Sequence, residues 1–392
     1  AELIHEYGTQ DQKDYYLPRL AKGEEIPCFA LTGPNAGSDA GGMPDTGVVC
    51  KNEKGELGIK INWDKRYITL GPVATLIGLA FKMEDPDGLL GDKKDIGITC
   101  ALIPSDLPGV SIGDRHRPMN VPFQNGPNQG KDVFIPLDNI IGGKERAGQG
   151  WKMLMESLAI GRSISLPAQS TSGAKMATRL TSAYGRVRRQ FNMPVGKFEG
   201  VEEVMARMAG TTYMMDAART ATVQMVDRKE RPAIPSAIVK YHLTEKMRKT
   251  VNDAMDIHGG KAVSEGPSNL LAEAYKGIPI AITVEGANIM TRNLIIFGQG
   301  MVRSHPYMLK EIQAAEDNDE KALTKHLVGH ILNSVINAGR SMWLGVTNGR
   351  LTRTPTKDKN TKRYYQKINK LSAQFNLLSN VSAGVLGGSL KR

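Results

Sequence analysis

Short apolar runs separated by turns occupy the first third of the chain, and a helical spacing of apolar positions takes over near Gly150. Residues 24–145 are rich in glycine, proline and β-branched side chains. Runs at 47–51, 66–70, 96–103 and 133–135 alternate with turns at Lys54-Gly55, Gly71-Pro72 and Pro108-Gly109, which predicts a β domain. Beyond Gly150, Trp151, Leu154, Met155 and Leu158 form one stripe, and Val201, Val204, Met205, Met208, Thr212 and Met215 a second. A third runs Ile238, Tyr241, Met247, Val251, Met255 and stops at Gly259-Gly260, which predicts a left-handed helix cap. A fourth begins after Glu285 with Ile289, Asn293 and Ile296. Four long helices with short loops or Pro/Gly breaks between them predict a helical bundle whose methionines fill gaps in the core. After His305-Pro306 come an acidic stretch (316–320), a further helical pattern and a basic tail.

Composition narrows the picture. With 392 residues, 40% hydrophobic and 23% charged, the chain is long enough for two or three folded domains. The run at 74–81, with its internal Thr and Gly, falls far short of the roughly 18 apolar residues a membrane-spanning helix needs. Net charge is +11, but residues 351–392 hold nine basic side chains against Asp358 alone, so +8 lies in the tail and +3 in the first 350 residues. A nearly neutral body with 6% aromatics argues against a nucleic-acid partner. Cys28, Cys50 and Cys100 show no CxxC spacing and lie among apolar residues, which points to packing in a reducing, cytoplasmic setting. The chain opens at Ala1 inside a helix-like segment, without an initiator Met or a signal pattern, and reads as a piece of something longer.

The chemistry-bearing segments are few. Residues 28–42 (CFALTGPNAGSDAGG) run an apolar strand into a loop of small residues, hydroxyls and free backbone N–H groups. Such a loop can cradle a phosphate or lie against a flat ring, or be an ordinary Gly/Asp/Ser turn. His326 and His330 are spaced i,i+4, but lack an intervening Glu or a third ligand, so the expectation is a plain helix face and no metal.

The loop resembles the flavin-contacting signature of acyl-CoA dehydrogenases, and four further segments resemble that family in order. Arg66-Tyr67-Ile68-Thr69 is similar to its second flavin strand, and residues 184–195 (YGRVRRQFNMPV) to the loop that reaches a neighbouring subunit's flavin. His258-Gly259-Gly260 is similar to its adenine-side glycines, and Val284-Glu285-Gly286 to its catalytic carboxylate turn. Gly33, Tyr67 and the stretch EGANIMTR at 285–292 look most like the large bacterial, membrane-associated long-chain branch.

The resemblance implies an α+β multidomain subunit with FAD between a middle β-barrel or sandwich domain and a C-terminal four-helix bundle. An N-terminal helical domain would be mostly missing. The expected divisions are 1–23 for the end of that helical domain, 24–147 for the β domain, 148–305 for the bundle and 306–392 for a helical extension with a basic tail. By the same resemblance Phe29, Leu31 and Thr32 lie along the flavin ring, and Ser38 meets a pyrophosphate or the pantetheine arm. Tyr67 and Thr69 flank the other ring face, although the strand alone would make Tyr67 a half-buried aromatic. Arg188, Gln190 and Phe191 serve the diphosphate and adenosine of a neighbour's FAD. Gly259 and Gly260 approach the adenine side, while Asp256 stands where the family often has Gln.

Glu285 is the expected base for the α proton of an acyl-CoA, seated at a helix N-terminus, and its backbone N–H would bind the thioester oxygen. Arg162, at the end of the first bundle helix, would orient Glu285 or the CoA. The function implied is FAD-dependent dehydrogenation of medium- or long-chain acyl-CoA to trans-2-enoyl-CoA in fatty-acid β-oxidation. Electrons would pass to electron-transfer flavoprotein or a similar acceptor. An acyl-CoA oxidase on the same scaffold, or a catalytically silent acyl-CoA-binding homologue, are the alternatives. A homo-oligomer is expected from the Arg188 loop. The basic tail (Lys357, Lys359, Lys362, Arg363, Lys367, Lys370) is expected to touch anionic lipid at the inner face of the plasma membrane.

Overall fold

The structure, a computed structural model, describes residues 1–386 apart from Arg231, with the side chains at 158–160 and 386 also left out. Leu158, Arg231 and the closing residues 387–392 of the sequence reading therefore lie outside the described residues. Two compact units follow one another, 1–291 and 292–392.

The first unit opens with helices α1 (Glu2–Tyr7) and α2 (Gln10–Lys22). Thr9 and Gln12 cap α2 reciprocally, and Gly23 ends it in the left-handed region. The Gln12 amide also donates to the carbonyls of Asp138 and Ile140, at 2.8 and 2.7 Å, fastening α2 to the end of the β domain.

Seven strands make that domain: β1 (Pro27–Ala30), β2 (Thr46–Lys51), β3 (Leu57–Thr69), β4 (Leu76–Glu84), β5 (Asp95–Pro104), β6 (Val110–Ile112) and β7 (Asn125–Pro136). β4 is central: β1 and β2 run parallel to it, β5 antiparallel, and β2 leads on through β3 and β7 to β6. Alternation explains why β4 is buried on both faces. Ile77, Leu79, Phe81 and Met83 face the interior with Ile59, Ile61, Ala101 and Ile103. Leu76 and Ala80 join Cys100, Leu102, Ile4 and Leu154 in an outer layer covered by helices. Cys28 and Cys100 pack within these layers as expected, and burial pushes both thiols up to about 12. Cys50 is only partly buried.

The bundle comprises α3 (Gly150–Val187), α4 (Glu199–Asp227), α5 (Ala233–His258) and α7 (Ala272–Thr283), with the single turn α6 (Gly260–Val263) between the last two. Strands β8 (Arg189–Gln190) and β9 (Met193–Pro194) form a small hairpin between α3 and α4. Ala174, Met208, Met215, Leu243, Met247, Val251 and Ile278 share one core, with methionine as filler. Two expectations are corrected here. The fourth bundle member is α7, hidden in the sequence by Gly277 and Pro279, and not the helix after Glu285. Beyond Glu285 lie the short α8 (Asn288–Met290) and a wide-turned π segment (Thr291–Gln299); of the expected stripe, Ile289 and Asn293 are exposed and only Ile296 is half-buried. Gly259 caps α5 at φ 60° and ψ −137°, a glycine-only conformation but not the expected left-handed helical one.

The second unit carries α9 (Gly300–Ser304), α10 (Met308–Glu316), α11 (Glu320–Val346) and α12 (Lys359–Leu386). The acidic stretch is the α10–α11 connection, where Asp319 caps α11. His330 is not on a plain face, because its Nδ1 lies 2.8 Å from Glu311 Oε1. No cluster among the described residues could hold a metal ion, and no single helix there is long and apolar enough to cross a membrane.

Candidate active site

Glu285 occupies the break between α7 and α8. This corrects its expected seat at a helix N-terminus, since the helix that leads into it is ending. Its backbone is left-handed at φ 53°, and Gly286 follows at φ 91°. A glutamate in that region is strained, and such strain persists only where surrounding contacts over-determine it. Three side chains do so. Arg162 Nε donates to the Glu285 carbonyl at 3.0 Å, Lys240 Nζ to the carbonyls of Ile282 (3.1 Å) and Gly286 (2.7 Å), and Thr291 Oγ1 to that of Gly286 (3.1 Å).

The carboxylate is directed at α3. A Cβ placed on Gly161 would sit 3.3 Å from Oε1 and 3.5 Å from Oε2, so glycine there leaves the carboxylate its space. Oε2 is buried without a hydrogen-bond partner among the described residues. Burial raises the Glu285 pKa above its ordinary value, and the charges of Arg162 and Lys240 oppose that rise. Arg162 lies about a third of the way along the 38-residue α3, which corrects its expected place at that helix's end.

The flavin-like loop leaves β1 at Ala30. Phe29 lies over Gly78 of β4, where a Cβ would come within 2.9 Å of its ring. The carbonyl of Leu31 accepts from Lys65 Nζ at 2.9 Å and that of Thr32 from Arg66 N at 3.0 Å. Lys65 is fully buried and paired with the equally buried Asp45, whose second oxygen accepts from Asp64 N. Ser38 is exposed, beside a 3₁₀ turn capped by Asp39.

On β3, Ile59, Ile61, Trp63 and Lys65 point inward in strict alternation, which would carry Tyr67 inward too. A bulge between Lys65 and Ile68, with Tyr67 at φ 62°, puts Ile68 inside and leaves Tyr67 61% exposed. The reading of Tyr67 as a half-buried strand aromatic is thereby corrected. Thr69 is exposed at the end of the same strand.

Arg188, Gln190 and Phe191 are exposed on the β8–β9 hairpin, Phe191 to 89%, with its ring edge-on to Phe198. Beside Gly259 and Gly260, the rings of Tyr184 and His258 stack at 4.2 Å against a cleft of about 240 Å³ that Lys261 and Asn269 also line. A larger cleft of about 460 Å³, lined by Tyr15, Tyr16, Glu25 and Asp106 among others, contains none of the residues selected from sequence.

Lys240, Lys65, Asp45, Asn288 and Gly161 were not selected. The two lysines carried a signal, because each interrupts an apolar stripe: Lys240 within Ala237, Leu243, Met247, Val251 and Lys65 after Ile59, Ile61, Trp63.

Comparison with known proteins bears on the family and the fold. The acyl-CoA dehydrogenase middle-domain model matches residues 28–132, the C-terminal-domain model 148–298, and the bacterial-type C-terminal model 302–392. A probable acyl-CoA dehydrogenase of Bacillus subtilis, YngJ, is 31% identical over 284 residues, covering 70% of this chain and 69% of its own. The chain belongs to the acyl-CoA dehydrogenase family. The butyryl-CoA dehydrogenase of Megasphaera elsdenii superposes with a TM-score of 0.66 at 26% identity, over 76% of this chain and 74% of that one. A Proteus mirabilis protein named HemX is 61% identical over 104 residues, 26% of this chain. The chain spans 61% of that relative's length.

Proposed function

We propose that this chain is the cofactor- and base-bearing part of an FAD-dependent acyl-CoA dehydrogenase, which converts a medium- or long-chain acyl-CoA to the trans-2-enoyl-CoA in fatty-acid β-oxidation. The observation that carries the reading is Glu285: a carboxylate on a strained turn, facing a glycine, with one oxygen unpartnered among the described residues and burial working against its charge. A structural glutamate would be paired, whereas a proton acceptor needs a free lone pair.

The residues present fit FAD. The β3 bulge turns an exposed aromatic, Tyr67, out beside the exposed Thr69, while Lys65 steadies the loop holding Phe29, Leu31 and Thr32. A Cβ on either Gly259 or Gly260 would meet nothing within 4 Å, leaving open backbone for a diphosphate or adenine. Ser38 and the exposed Arg188, Gln190 and Phe191 would take the cofactor's polar half, the latter three from a neighbouring subunit in a homo-oligomer. When bound, FAD supplies the acceptor for the hydride leaving Cβ.

Glu285 takes the proton from Cα, the Cα–H electron pair becomes the new C=C bond, and the backbone N–H of Glu285 steadies the charge that builds on the thioester oxygen. Electrons leave to a protein acceptor such as electron-transfer flavoprotein. Peripheral contact with anionic lipid is supported by charge and exposure: from Lys321 onward thirteen Lys and Arg stand against Asp358 alone, and α12 exposes Tyr364, Ile368, Leu371, Phe375 and Leu378.

The test is anaerobic mixing of the full-length protein with saturating acyl-CoA. Glu285→Gln keeps the backbone N–H and should retain FAD while flavin bleaching slows by about 10² to 10⁴. Bleaching within tenfold of wild type would reject Glu285 as the base.

A further inference from the structure

Lys240 is wholly buried in α5, yet among the described residues no carboxylate is a hydrogen-bond partner. Its three protons are used on the carbonyls of Ile282 and Gly286 and on Asn288 Oδ1 (2.8 Å), which satisfies an ammonium with neutral dipoles only. Asn288 is itself held through Nδ2 by Thr244 Oγ1 (3.0 Å) and Glu245 Oε1 (2.9 Å), so the cluster is closed. Burying a cation in this way is costly, and a neutral donor could make hydrogen bonds to the same acceptors.

The charge has another use. A base that must meet an apolar acyl chain is pushed toward its neutral form by burial, and a cation that grips its carboxylate directly would restore the charge but occupy the lone pairs needed for the proton. Here both cations beside Glu285 bind main-chain carbonyls: Lys240 those on either side of it, and Arg162 its own. The carboxylate feels their field while Oε2 stays free.

We propose that Lys240 is a positioning residue for Glu285, which fixes the strained turn through the flanking carbonyls and holds the carboxylate ionised by its field without sequestering it. This rests on Glu285 being the base. The charged groups acting on the pair are Arg162 from α3 and Glu245 from α5 itself; burial lowers the Lys240 pKa to about 8, the two glutamates oppose that shift, and Arg162 adds to it.

Lys240→Met, in the full-length holoenzyme, keeps an unbranched side chain one atom shorter and removes the charge. The protonation of Glu285 is read as the carboxyl infrared band that is absent from Glu285→Gln, followed against pH. The midpoint should move up by about one unit or more, since loss of a nearby opposite charge is worth 1 to 3. Flavin bleaching by acyl-CoA at neutral pH should slow about tenfold or more and recover in part as pH rises. Asn288→Ala should slow bleaching with the midpoint unmoved, because it disturbs the turn and leaves the charge. An unmoved midpoint in folded Lys240→Met overturns the proposal, as does a loss of rate with no recovery at high pH. Should Lys240→Met not fold, the same coupling is read in reverse: Glu285→Gln should lower the Lys240 ammonium midpoint, followed by ¹⁵N NMR, and no change there overturns it. A fully active Glu285→Gln would instead remove the base while leaving this coupling measurable.

Discussion

Arg162 donates from Nε to the main-chain carbonyl of Glu285 at 3.0 Å, and so grips the backbone of the residue whose carboxylate it faces electrostatically. The contact joins the N-terminal third of α3 to a turn 123 residues later. It supports a left-handed glutamate and leaves the carboxylate oxygens out of the bond.

Because burial raises the Glu285 pKa in the folded chain, the native state binds more protons than the unfolded one between the two pKa values. Stability is therefore lost as pH rises from the ordinary glutamate range through the folded pKa. Glu285→Gln, which cannot ionise, should melt at a higher temperature than wild type at neutral pH, and the difference should shrink on acidification below the unfolded value. Calorimetric scans across that range check the sign.

Lys65 and Asp45 form a fully buried pair whose cation also holds the Leu31 carbonyl. Lys65→Met leaves Asp45 buried without its counter-charge, which should cost about 3 to 5 kcal/mol in denaturant unfolding. Residual folded protein should also lose flavin more readily, as dialysis followed by absorbance would register.

Arg188 is exposed at the start of the hairpin. If it reaches a neighbouring subunit's FAD, Arg188→Ala should weaken flavin retention about tenfold, and occupancy should then fall on dilution, consistent with loss of a charge-assisted hydrogen bond. Flavin content that stays full and concentration-independent would contradict the shared site.

The basic, apolar-faced helices of the second unit should bind vesicles containing anionic lipid, and salt should weaken the binding because each cation near the surface contributes about 1 kcal/mol. Co-sedimentation at low and high ionic strength tests this. Binding indifferent to salt, or to the anionic lipid itself, would count against it.

Patterns carried by neighbouring residues were legible in the sequence alone. The alternation in β4 and β5, the helical stripes in α3, α4 and α5, and the loop from Phe29 to Ser38 can all be read locally, because a strand or helix places its own apolar residues on a predictable face. Glu285 was marked as the candidate base only by the resemblance of Val284-Glu285-Gly286 to the family's carboxylate turn, not by any local pattern. Its seat was not legible either, since Gly277 and Pro279 mask α7, and whether Glu285 begins or follows a helix depends on packing across the bundle. The exposure of Tyr67 turned on one bulge against β7, which shifts register by contacts about sixty residues away in the chain. Lys240 and Lys65 look like faults in apolar stripes until the fold brings acceptors from α7, Asn288, Leu31 and Asp45 to meet them. Local periodicity determines which residues share a face; only tertiary packing decides which buried charge finds a partner, and which, like the Glu285 carboxylate, is left with an oxygen free.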